Sequence, residues 1–257
     1  MADRKNILEA FVRAFGCRFR DLRRFGLNGD RMIKAVIFDM DGLLLDTEKL
    51  LVRFWVRAAN EMGFPMTREH ALSLRSLHRS FAVPYLKELF GENFDYKTVR
   101  TRRMELMNEY LSDHPLELKD GACELLSYLN ENNIPAAVCT ATDLERAVDY
   151  LSGAGIFERF DKIISAVMVE RGKPAPDVYL YAARQLGLMP EECMALEDSP
   201  NGVRSAAGAG CVTVMIPDLT EPDSELEKLI FARAGSLGEV VDIIDKFGVI
   251  RREECRG

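Results

Sequence analysis

Two aspartates, Asp39 and Asp41, stand one residue apart behind the apolar run "AVIF" and ahead of Gly42. At the end of a buried strand, two like charges repel each other and resist desolvation. Their chemistry can justify the position. A carboxylate on a turn is ionised at neutral pH and can attack an electrophile without a helper base. A second carboxylate two residues on lies across the same turn, where it can exchange a proton with a leaving group or a water. Gly42 permits a tight turn of the backbone away from both. A divalent cation shared by the carboxylates relieves the repulsion, and Mg²⁺, which takes hard oxygen ligands, suits them. Alone, D-x-D-G also describes a pair of turn-forming aspartates.

Three further stretches end apolar runs in polar residues. "AAVCTAT" reaches Thr140, whose hydroxyl, with the backbone N–H groups that follow, could hold an anion at the start of a helix; a plain capping threonine has the same sequence. "VMVERGKPAPDVY" places Lys173 in a loop ahead of two prolines that fix the backbone and aim one cation, although a loop lysine is usually solvated. "CMALEDSPNGVRSA" puts Glu197 and Asp198 at the end of a run, ahead of Ser199-Pro200, a helix start that explains itself without function. Each signal is modest alone. Together, at successive strand ends, they describe a site.

The elements needed to position these residues follow from the hydrophobic pattern. From Met32 the runs "KAVIFDM", "IPAAVCT", "DKIISAV", "CMALED" and "CVTVMIP" are short and nearly continuous, as parallel strands covered on both faces should be. Helical patterns separate them, among them "GACELLSYLNENN", "DLERAVDYLSGAG" and "PDVYLYAARQLG". About five strands and an α/β fold with a Rossmann-like parallel sheet follow. Residues 47–115 show no strand; Leu51, Phe54, Trp55, Ala58 and Met62 fall on one face of a first helix, and further helical patterns follow through "YLKELFG" and "MELMNEYLSDH". This predicts an all-helical cap, 47–115, inserted into an α/β core of residues 32–46 and 116–257, over the carboxyl edge of the sheet where open α/β sheets bind ligands.

In these motifs the chain resembles the haloacid dehalogenase-like hydrolases, in the subgroup of helical-cap phosphatases and β-phosphoglucomutase-like proteins. The resemblance runs from Met32 to about residue 245. It implies that Asp39, in "DMDG", is a nucleophile that becomes an aspartyl phosphate, and that Asp41 protonates the leaving group and then activates water. Thr140 matches the second motif, with the Ala141 N–H and Gly42 beside the phosphate. Lys173, in "GKPAPD", matches the third, and Glu197, Asp198, Ser199 and Gly202 match E-D-S-x-x-G. The implied Mg²⁺ ligands are Asp39, Glu197, Asp198 and the backbone carbonyl of Asp41. Cap residues Arg75, His78 and Arg79, in "SLRSLHRS", could read the substrate, or be structural.

Departures narrow the subgroup. Dehalogenases proper lack the second aspartate, so Asp41 points to phosphoryl transfer. β-Phosphoglucomutase-like members carry a histidine early in the first cap helix where this chain has Leu51, in "DTEKLL", which favours hydrolysis over mutase chemistry. The expectation is a Mg²⁺-dependent phosphatase of a small phosphorylated metabolite, a sugar phosphate or nucleoside monophosphate. A phosphosugar mutase and a noncatalytic binding protein that keeps the fold are the alternatives.

Bulk properties set the remaining limits. The net charge of −7 over 257 residues argues against a nucleic-acid partner and offers no steering to anions, so any anion must be held locally. Six cysteines without a C-x-x-C pair read as reduced core thiols of a cytoplasmic protein. No apolar run approaches a membrane span, and a monomer or homodimer is equally compatible. Residues 1–31 carry eight Lys or Arg against four Asp or Glu and read as a basic, amphipathic N-terminal extension. Gly153-Ala-Gly155 and Gly208-Ala-Gly210 complete no dinucleotide fingerprint and read as helix ends.

Overall fold

The computed structural model describes residues 33–247; the basic N-terminal extension lies outside the described residues, as do Cys17 and Cys255. Six strands form one parallel sheet: β1 (Ala35–Phe38), β2 (Ala136–Thr140), β3 (Lys162–Ser165), β4 (Cys193–Glu197), β5 (Val212–Met215) and β6 (Ala232–Arg233), in the order β3-β2-β1-β4-β5-β6. β1, β2, β4 and β5 are buried along their whole length, which is why they read as continuous apolar runs. Sequence reading gives five strands rather than six because β6, two residues on the sheet edge with Arg233 exposed, is too short to show a period.

Side chains alternate across the sheet. Val36 and Phe38 face a core closed by α5 (Ala122–Glu131), α6 (Leu144–Gly153) and α9 (Glu239–Phe247). Ala35 and Ile37 face the opposite core, closed by α7 (Asp177–Leu186) and α8 (Pro200–Ala209). The chain runs outward from β1 through β2 to β3, then returns past β1 to β4, so the order reverses beside β1. In sheets of this kind that reversal opens a crevice between the carboxyl ends of neighbouring strands. Register finishes the placement: Phe38 pairs with Leu196, so Asp39 and Glu197 emerge side by side.

Between β1 and α5 the chain builds four helices, α1 (Glu48–Glu61), α2 (Arg68–Leu72), α3 (Arg79–Phe90) and α4 (Tyr96–Leu111), around a core of their own that includes Phe54, Trp55, Phe94 and Leu106. Side-chain caps start three of them: Thr67 accepts from the His70 N–H, His78 from the Ser80 N–H, and Asp95 from the Lys97 and Thr98 N–H groups. On α1, Phe54, Trp55 and Ala58 are buried as the stripe predicts, but Leu51 and Met62 are only half-buried, and Glu48, Leu50 and Val52 are buried as well. The start of α1 packs into a crevice as well as on its neighbours, so one helical stripe undercounts what it hides.

The two chain crossings between the helical layer and the sheet are paired. Leu45 and Leu118 form an antiparallel bridge, flanked by Asp46 N–H to Glu117 C=O (2.9 Å) and Lys119 N–H to Leu44 C=O (2.9 Å). Cys139, Cys193 and Cys211 are buried free thiols, while Cys123 is free and exposed. Among the described residues no helix is long and apolar enough to cross a membrane.

Candidate active site

Lys173 is the centre of the crevice. Its side chain is fully buried, and its ammonium contacts Asp39 Oδ1, Glu197 Oε1 (2.6 Å) and the Cys139 carbonyl (2.9 Å). The backbone that presents it contains a cis Lys173–Pro174 peptide. The sequence reading allowed a solvated lysine; the structure buries it against three oxygen partners. Tyr179, one turn into α7, donates its hydroxyl to Glu197 Oε1 (2.5 Å) and sets its ring 5.2 Å from the ammonium. Burial opposes the charged lysine, but Asp39 and Glu197 more than offset this and hold its pKa above the usual lysine range. Burial likewise lifts Asp39, to about 8, with Lys173 pulling the other way.

Asp39, Glu197 and Asp198 bring one oxygen each to within 4.8 Å of one another. Each carboxylate has one oxygen engaged and one bare. Asp39 Oδ2, Glu197 Oε2 and Asp198 Oδ1 are buried without a hydrogen-bond partner, an arrangement that costs free energy unless a cation is shared. Three clustered hard oxygens fit a divalent cation such as Mg²⁺.

Two glycines make room for this cluster. A Cβ at Gly202 would strike the Glu197 carboxylate, and one at Gly42 would strike Asp198 Oδ2, while Gly42 also holds φ +92°. Ser199 caps α8 by accepting from the Gly202 N–H (3.1 Å), as the Ser-Pro start predicts.

The Asp41 carboxylate turns away from the acidic cluster. Thr47 donates to its Oδ1 (2.6 Å), and Thr142 (2.8 Å) and Thr140 (3.4 Å) donate to its Oδ2. Three threonine hydroxyls thus hold the Asp41 side chain, which is not part of the acidic cluster. Thr140 is buried and accepts from the Thr142 N–H (3.0 Å); Ala141 lines the cavity above Asp39.

The cap residues divide between two cavities, with Arg75 on the one that holds Asp39. Arg75 is buried, contacts Asp198 Oδ2, pairs with Glu48 at 3.4 Å and donates to the Thr220 hydroxyl (2.9 Å), so it is committed to acids rather than facing a substrate freely. His78 lines a neighbouring cavity with Arg79, separate from the one that holds Asp39, and its ring is bonded to Ser80 (2.9 Å). Leu51 and Trp55 line the Asp39 cavity itself.

Sequence reasoning missed Glu48, Thr47, Thr142 and Tyr179. Glu48 had a signal, an acid beside the helix start of "DTE", but nothing in its spacing shows that it is buried. The same cavity is rimmed on its far side by Arg100, Arg103 and Arg146.

The family model described as haloacid dehalogenase-like hydrolase matches residues 33–210. The chain is 33% identical to Hexitol phosphatase A of Escherichia coli, over 76% of this chain and 91% of that protein. It is 32% identical to a phosphorylated carbohydrates phosphatase of Thermotoga maritima, over 69% and 82%. Among solved structures it superposes on the β-phosphoglucomutase of Clostridium difficile with a TM-score of 0.71 at 25% identity, covering 84% of this chain and 97% of that one. A D-x-D-G turn, a buried lysine and an acidic pair at adjoining strand ends, together with these matches, make the chain a member of the haloacid dehalogenase-like hydrolases.

Proposed function

We propose that this chain is a Mg²⁺-dependent phosphatase of small phosphorylated metabolites that works through an aspartyl phosphate on Asp39. The observation that carries the reading is the buried Lys173, bonded to both Asp39 and Glu197, beside three carboxylate oxygens without partners.

Lys173 fixes the Asp39 carboxylate at the end of β1, so that one carboxylate oxygen can attack phosphorus while the other faces the acidic cluster. As the Asp39–phosphorus bond forms, the ester P–O bond breaks and the leaving oxygen takes a proton from Asp41. Asp41 then removes a proton from a water, whose oxygen attacks the same phosphorus, releasing inorganic phosphate and restoring Asp39. Asp39, Glu197, Asp198 and the Asp41 carbonyl would hold a divalent cation, which would neutralise charge on the carboxylates and phosphate oxygens. The Thr140 hydroxyl and the N–H groups around Gly42 and Ala141 orient the phosphate. Thr47, Thr142 and Thr140 hold the Asp41 carboxyl toward the cavity through either protonation state, because a hydroxyl both donates and accepts.

The names of the relatives, a hexitol phosphatase and a phosphorylated carbohydrates phosphatase, support a sugar-phosphate class of substrate. The likeness to a β-phosphoglucomutase keeps one second reading open, a phosphosugar mutase. Leu51 in the cavity wall speaks for hydrolysis, since an apolar side chain there cannot manage protons.

Hydrolysis of p-nitrophenyl phosphate tests the reading. Wild type is expected to turn over with Mg²⁺ and to stop with EDTA, and Asp39→Asn to lose on the order of 10³-fold or more. Equal rates for the two proteins would overturn it. Incubation with β-glucose 1-phosphate separates the alternatives: free phosphate supports hydrolysis, glucose 6-phosphate the mutase.

A further inference from the structure

On the helical side of the cavity the charge reverses. Arg100 and Arg103 on α4, and Arg146 on α6, line the same cavity as Asp39, Asp41 and Glu48. Arg103 is 8% exposed, with its guanidinium 5.4 Å from the Trp55 ring. Its Nε has no hydrogen-bond partner, and among the described residues no carboxylate pairs with it. Among the described residues the Arg146 guanidinium donates to neutral oxygens, Asn108 Oδ1 (2.9 Å) and the Tyr150 hydroxyl (3.0 Å). Arg100 alone has an acid, Asp143 at 2.7 Å.

A buried, unpaired arginine is one of the costliest side chains to keep, and contact with one indole ring offsets only part of that. Burial and the neighbouring Arg100 and Arg146 pull its pKa down to about 10, which marks a place short of negative charge. Nothing in the phosphoryl-transfer machinery uses this trio: the scissile phosphate has its own partners at the opposite wall, on Lys173, Thr140 and the strand-end amides. A planar guanidinium aimed into a cavity is matched by a carboxylate or phosphate, which it binds with two parallel N–H donors.

We propose that Arg103, supported by Arg100 and Arg146, is a distal anion subsite, and that the preferred substrate carries a second anionic group, a carboxylate or another phosphate, at the end remote from the scissile phosphate. This rests on the phosphatase reading above and narrows its substrate class to phosphorylated acids and bisphosphates. Arg103 and Asp39 line one cavity, which places both anions on one molecule.

Matched substrates test it, with kcat and KM measured on the wild-type protein in Mg²⁺. Sorbitol 6-phosphate against 6-phosphogluconate isolates a terminal carboxylate, and fructose 6-phosphate against fructose 1,6-bisphosphate isolates a second phosphate. One dianionic member is expected to exceed its neutral-tailed partner about tenfold or more in kcat/KM, mostly through KM. Arg103→Met is expected to erase that ratio and Arg103→Lys to keep part of it. Neutral-tailed members used as well or better in both pairs, or a ratio unchanged in Arg103→Met, would overturn the subsite.

Binding gives a second readout independent of turnover. In the Asp39→Asn protein, the fluorescence of Trp55, the single tryptophan, is titrated with all four compounds. Tighter binding of either dianionic member than of its neutral-tailed partner supports the subsite, and equal affinities within both pairs overturn it. Wild type inactive on every phosphate, with the binding preference intact, would overturn the phosphatase reading and leave the subsite standing.

Discussion

Glu48 is 4% exposed at the first turn of α1, and its carboxylate sits 3.4 Å from the Arg75 guanidinium. Burial raises its pKa to about 8 from an ordinary value of 4.5, with Arg75 opposing. The folded protein therefore binds a proton there that the unfolded chain releases between about pH 4.5 and 8. The stability contributed by that proton is complete below the unfolded value and lost as pH rises through the folded one. Glu48→Gln, which imitates the neutral form, is expected to flatten the fall in Tm across this window, by several degrees at pH 8 to 9, in thermal melts recorded without divalent cations. A parallel displacement of the two curves would count against it. Glu48 also marks the limit of reading at this scale. Asp39, Lys173, Glu197 and Asp198 were legible because each ends or follows an apolar run in a motif of fixed spacing, and the structure brings all four together. Glu48 and Tyr179 carry no such spacing. Their importance comes from what folds over them.

Helix α8 shows how an element is tuned to the group beneath it. Its Ser199 cap and Pro200 start set the axis, and its third residue, Gly202, lets the Glu197 carboxylate lie against the backbone. Gly202→Ala is expected to destabilise by about 1–3 kcal/mol in urea unfolding, through overpacking. Gly208→Ala in the same helix has Pro176 Cβ at 3.7 Å as its nearest neighbour, ordinary contact, and is expected to leave stability unchanged or slightly raised. Equal effects at the two positions would show that helix propensity, not the carboxylate, sets the cost. Most elements were legible: doubly covered strands such as β1 and β4 have no polar face to disguise them, and the Ser-Pro start of α8 signals itself. β6 was not, being two residues long, and α1 was read too narrowly because its first turn is hidden by tertiary contact rather than by one stripe.

At the scale of the molecule, Arg75 ties the helical layer to the sheet. It follows α2, yet its guanidinium ends between Asp198 beyond β4 and Glu48 on α1, and nearby the His78 N–H donates to the Lys173 carbonyl (2.9 Å). Removing one partner of a buried ion pair strands the other. Arg75→Ala is expected to cost about 3–5 kcal/mol in urea unfolding with EDTA, and less with Mg²⁺, which gives Asp198 another counter-ion. A cost that stays the same in both buffers would show that Arg75 acts by packing alone. The paired crossings at Leu45 and Leu118 have a different consequence. The chain leaves the sheet and returns to it at adjacent points stapled to each other, so the length and sequence between them are invisible to the strand register. A layer mounted this way behaves as a cassette: Asp39, Lys173 and Asp198 stand beyond the ends of β1, β3 and β4 outside it, so a different set of helices between the same two crossings reaches them through side chains such as Arg75 rather than through the sheet.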